Sequence, residues 1–110
     1  MRAEIEELVD AVTDTADCID DLIDAIREQR TAMNERDIDS VNDLMDEMRD
    51  IFFETQTQEA LRDNIARKLA QKFSCQPTAG SLASIMDKEE RAIFNGAADR
   101  LTQSVFVLKS

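Results

Sequence analysis

Apolar residues return at alternating steps of four and three along the first part of this chain: Ile5, Val9, Val12, Ala16, Ile19, Ile23, Ile26 and Met33. Only the slot at Arg30 is polar, and Leu8 and Leu22 widen the stripe. That spacing is the seam of a helix packed lengthwise on another helix. It predicts one helix over residues 2–33, on the order of 45–50 Å long at about 1.5 Å per residue. A helix of this kind is not stable alone and needs a partner along its seam.

The partner follows directly. Asn34, Glu35 and Arg36 interrupt the pattern, and Asp37 offers a side-chain oxygen to the free N–H groups of a new helix. The apolar steps resume at Ile38, Val41, Leu44/Met45, Met48, Phe52 and Thr55. A second helix over 38–74 then folds back on the first. Its register sets Met33 on Ile38, Ile26 on Met45, Ile23 on Met48, Ile19 on Phe52 and Ala16 on Thr55. Beyond Thr55 the apolar residues shift sideways to Ala60, Leu61, Ile65, Leu69 and Phe73. A stripe that widens has a second neighbour to cover.

That neighbour is a third helix over 88–108. The cluster from Cys75 to Gly80 breaks the chain, Ser81–Met86 forms one helical turn, and Asp87 with Glu90 reads as a capping box. Folded back along the second helix, the third brings Ile93 near Leu69, Ala97 near Ile65 and Leu101 near Leu61. It runs out at the level of Phe52 and Ala16. The hairpin from Ile19 to Phe53 is left with two helices, so Leu22, Leu44, Ile51 and Phe53 stay partly exposed. Aromatic residues are 5% of the chain, Trp and Tyr are absent, and Gly and Pro total three, so sheet is disfavoured. The predicted fold is all-α: a single helical domain over 1–110, an antiparallel bundle of three long helices with an overhanging two-helix hairpin.

Chemistry finds few residues to use. With no histidine, no imidazole is present to activate Cys18 or Cys75, and no Gly-rich phosphate loop exists. Asp17, Asp20, Asp21 and Asp24 share one helix, and Asp37, Asp39 and Asp43 follow the bend. The latter group lacks the central Gly and closing Glu of a calcium loop. These clusters read as solvated helix faces. No catalytic residue, metal site or cofactor is predicted, and the chain reads as a non-enzyme.

Charge is uneven. Residues 1–50 hold 17 acids and 5 bases, a net of −12 within a chain of net charge −11. Such a surface disfavours nucleic acid and anionic membranes. No apolar run reaches the roughly 20 residues of a membrane span. The acidic N-terminus lacks the apolar core of a secretory signal, and the cysteine usage fits a reducing compartment, so the cytoplasm is expected.

The tail Val105-Phe106-Val107-Leu108 covers almost every side of a helix, more than one face can bury. It marks a surface for a partner or for a second copy. Met33, Met45, Met48 and Met86, near the seam or its flank, suit a groove that adapts to a partner helix.

The runs LIDAIREQRTAMNERDIDSVNDLMDEMRDIF and SLASIMDKEERAIF resemble the FlgN family of flagellar export chaperones. The shared features fall at Arg27 and Arg30, Asp37, Leu82–Met86 and Asp87–Glu90, over about residues 5–108. The resemblance implies a cytoplasmic, non-enzymatic type III secretion chaperone. Its clients would be hook-associated proteins, engaged through their helical terminal segments. Carried onto this chain, the partner-binding positions are Leu101, Val105, Phe106 and Leu108. In that family the third helix usually continues further along the hairpin than Ser110 does here. The alternative is a structural coiled-coil adaptor that forms a homodimer through the same apolar surfaces.

Overall fold

A computed structural model describes residues 1–110. Every regular element is helical: α1 (Ala3–Asn34), α2 (Ile38–Lys72), α3 (Ala79–Ser84) and α4 (Lys88–Lys109). The molecule measures 54 × 21 × 20 Å, about the length of α1 with its caps. No helix is long and apolar enough to cross a membrane.

The bend forms where its residue types demand it. The N–H groups of Arg36 and Asp37 bond back to the Met33 and Ala32 carbonyls, which closes the end of α1. Arg36 takes the left-handed conformation this closure needs, at φ 58°. Asp37 then caps α2, accepting from the Ser40 N–H at 3.1 Å and its hydroxyl at 2.6 Å. The hydroxyl bond first, and the N–H bond with it, hold the Asp37 carboxyl below the usual range.

How the helices pack differs from the register predicted above, and α1 is the central element. It packs against both α2 and α4, and α3 packs against α2 and α4, whereas the backbones of α2 and α4 do not meet. The third long helix therefore lies along the first helix rather than the second. Arg2 bonds Glu90, Arg100 bonds Asp17, and Ser104 bonds Asp20, so α1 and α4 run parallel.

The line of α1 that faces α2 is also new. Glu4 bonds Lys72 of α2 at 2.8 Å. Ala11, Cys18, Ala25 and Ala32 follow Glu4 at steps of seven, and all four are buried. Cys18 lies within electrostatic reach of Glu54 on α2. Small side chains on this line let α2 approach closely, and Thr15 and Leu22 complete the buried face. Leu22, expected to be partly exposed, is 8% exposed because it belongs to this interface. A larger side chain should not fit. Ala25→Leu is expected to lower stability by about 1–3 kcal/mol through overpacking. The same change at exposed Ala92 should stay within about 0.5 kcal/mol; urea unfolding of the two variants compares them.

The core gathers at the end away from the bend. Ile5, Leu8, Val12, Leu69, Leu82, Met86 and Phe94 pack there, supplied by α1, α2, α3, α4 and the turn between the last two. Arg2 closes this end. Its backbone N–H and guanidinium donate to the Glu90 carboxylate, and its guanidinium also donates to the Ile85 carbonyl. Glu90 meanwhile completes a capping box with Asp87. The Arg2 side-chain bonds first, with its N–H and that of Asp87, pull the Glu90 carboxyl from 4.5 to about 2. A depressed carboxyl stabilises the fold fully above its unfolded value and loses that contribution as pH falls. The stability gap between wild type and Glu90→Gln is therefore expected to be full above pH 4.5 and to close toward pH 2. Parallel unfolding curves across that window would contradict this.

Candidate functional site

Two lines on α1 are taken, one by α2 and one by α4. Between them runs a third line, Ile5, Val12, Ile19, Ile26 and Met33, again at steps of seven. The first three are buried, Ile26 is half-buried, and Met33 is 59% exposed. Cover thus thins along one straight row of apolar side chains, from the α3 end to the bend. Near Ile5 and Val12 the cover comes from α3 and the core around Phe94. Toward the bend nothing replaces α3, and the space between α2 and α4 is an open trough.

The wall on the α2 side carries Ile38, Met45 and Phe52, a further set at steps of seven, exposed by 71%, 49% and 54%. These are residues the sequence register assigned to the hairpin seam. They lie beside it because the small-residue line of α1, not its large apolar line, takes α2. Leu22, Ile26, Met45, Met48 and Phe52 line a hollow on this side, with the polar ends of Gln29 and Arg49 at its rim.

Of the predicted partner-binding residues, Leu101 and Leu108 line hollows on the α4 side, and Phe106 lines none of them. Leu101 is half-buried and lines a hollow with Leu8, Val12, Ala66, Phe94 and Ala98 at the covered end. Val105 and Leu108 are half-buried, and Phe106 is 67% exposed. Leu108 and Val107 reach Ile23, Ile26, Arg27 and Arg30. The third long helix therefore extends well past the level of Ala16 where the sequence reading ended it. The two-helix overhang shrinks to the bend and the first turns of α2. Ile26 lines the hollows on both walls, so they form one trough.

The other predicted hairpin residues are not brought together in it. Leu44 and Ile51 are half-buried. Phe53 is 72% exposed, but it follows Phe52 by about 100° round the helix, on the outer side of the wall. Sequence reasoning missed Ile38, Met45 and Phe52 as surface residues. The seven-residue spacing of Ala11, Cys18, Ala25 and Ala32 was the signal that could have revealed them.

Electrostatics hold α4 in place beside the trough. Arg100 bridges Asp17 and Asp20 at 2.6 and 2.9 Å, and the Ser104 hydroxyl donates to Asp20 at 2.7 Å. Partial burial pushes the Asp20 carboxyl up, but the bonds from Ser104 and Arg100 and the charge of Arg100 together hold it below the usual range. The one buried thiol, Cys18, is pushed up by burial and then by Glu54, Asp21, Asp14 and Asp17. That environment suppresses the thiolate a nucleophile needs. No group of three or more His, Cys, Asp or Glu side chains is arranged to hold a metal ion. What the arrangement offers is a strip of exposed apolar side chains about as long as a few helical turns.

A family model described as FlgN protein matches residues 1–110, the whole chain. No curated protein and no solved structure matches it.

Proposed function

The chain belongs to the FlgN family of flagellar export chaperones, and on that premise we propose that it binds the helical terminal segments of hook-associated proteins in the cytoplasm. The observation that supports this most is the heptad-spaced exposure of Ile38, Met45 and Phe52 beside the uncovered end of the Ile5–Met33 line. An amphipathic helix presents apolar residues at the same spacing, so it can lie in the trough as a helix does in a groove. Burying the exposed halves of such side chains contributes on the order of 1 kcal/mol each. The methionines on the α2 wall adapt to different client side chains. Leu108, with Leu101 at the covered end, extends the contact on the opposite wall. The acidic flank of the hairpin keeps the loaded chaperone soluble. A net charge of −11 opposes the alternative, pairing of two copies through this face.

Calorimetry of the chain with terminal segments of hook-associated proteins tests the proposal. One segment bound per chain is expected. Failure of every such segment to bind, with the chain folded, would sink it. A stable dimer that does not dissociate on dilution would instead favour the coiled-coil adaptor.

A further inference from the structure

The charge at the bend end of the trough is opposite to that of the chain around it. Residues 1–50 contain 17 acids and 5 bases, yet three of those bases stand on this one feature. Arg27 and Arg30 line the hollow with Ile26, Val107 and Leu108, and Arg49 lines the adjoining hollow with Met45 and Phe52. No Asp or Glu side chain lines either hollow, and Ser110 completes the lining of the first. Asp20 and Asp24 lie in the next hollow along, which Arg27 also lines, and Asp20 is already bound by Arg100 and Ser104.

The pairing of the arginines separates them further. Arg2 and Arg100 are held by carboxylates from other elements, and Arg49 reaches Asp46 one turn away. The guanidiniums of Arg27 and Arg30, like those of Arg36 and Arg62, form no salt bridge and no hydrogen bond within the chain, but only Arg27 and Arg30 among these line this hollow. Two forked donors are thus free at the edge of an apolar floor. Arginine in that setting pairs in bidentate geometry with an anionic group, which on a protein segment is the carboxylate of Asp or Glu.

We infer that the bend end of the trough takes an amphipathic helix with carboxylates beside its apolar stripe, paired to Arg27 and Arg30. The inference rests on the client-binding function proposed above and gives the chemistry of the client segment. A helix flanked by Lys or Arg would set like charges against Arg27, Arg30 and Arg49. A helix with neutral flanks would leave two guanidiniums without partners at a dehydrated edge.

Two synthetic helical peptides with one Leu/Val stripe, flanked by Glu in one and Lys in the other, test the inference by titration of the full chain. The Glu peptide is expected to bind about tenfold tighter at low salt, and the gap should narrow at about 0.5 M salt, where the Debye length falls to a few ångström. Arg27→Glu/Arg30→Glu, at two exposed positions, should leave the helical circular-dichroism spectrum unchanged and reverse the order of the two peptides. Equal or tighter binding of the Lys peptide, no binding of the Glu peptide, or an order unchanged in the double variant would each overturn the inference. So would an Arg27- and Arg30-dependent dimer in sedimentation, because the acidic partner would then be a second copy. Hook-associated segments that bind the double variant as well as wild type would overturn this inference while leaving the proposed function intact. Arginine-dependent capture of the Glu peptide, with no hook-associated segment bound, would do the reverse.

Discussion

Aspartate at both Met45 and Phe52 is expected to weaken binding of a client helix about 100-fold, or roughly 2.8 kcal/mol. Both side chains are about half exposed on the α2 wall of the trough, so the folded chain does not depend on burying them. Their replacement should leave stability within about 1 kcal/mol, as surface changes do. In the complex the same carboxylates would lie against apolar client side chains, where an unpaired charge loses its hydration. The effect on binding therefore exceeds the effect on folding, and calorimetry beside urea unfolding separates the two. Phe53→Asp, one residue on but on the outer side of the wall, is the matched control and should bind normally.

Phe94→Ala is expected to produce the largest loss of stability in the chain, about 3–5 kcal/mol. Phe94 is 3% exposed and packs in the core formed with Ile5, Leu8, Leu69, Leu82 and Met86. It is the only aromatic ring among the buried residues. Because α2 and α4 do not touch through their backbones, this ring is a main link between them. Truncation would leave a cavity bordered by α1, α2 and α3 together, which no single side chain can collapse to fill. The damage should concentrate at the α3 end. Hydrogen exchange would then show α3 and the start of α4 opening before the α1–α2 hairpin, whose close-packed Ala line does not involve Phe94.

The local features were legible in the sequence because their causes are local. Asp37 caps α2 three residues before Ser40, and Asp87 and Glu90 close a capping box within one turn. The helix limits followed from those caps and from the heptads. Lateral placement was not legible in the same way. Large apolar residues at steps of three and four announce that a face is buried, but not which neighbour buries it. The row with Ile19 and Ile26 looked like the hairpin seam. The row with Ala11, Cys18, Ala25 and Ala32 is the one α2 occupies, because small side chains allow a shorter distance between helices. Once α2 moves to that row, Ile38, Met45 and Phe52 turn outward, Leu22 turns inward and α4 gains its own place on α1. The Arg2–Glu90 clamp spans 88 positions, and nothing local announces it.

Isotope-labelled methionine methyl groups give the most direct test of the trough as the client site. Met33, Met45 and Met48 lie on or beside the trough, while Met86 is 4% exposed in the core at the far end. On titration with a client terminal segment, the methyl resonances of Met45 and Met48 should shift most, with Met33 following, and that of Met86 should hold its position. Binding that leaves Met45 and Met48 unmoved, or that shifts Met86 first, would contradict the docking of the client between α2 and α4.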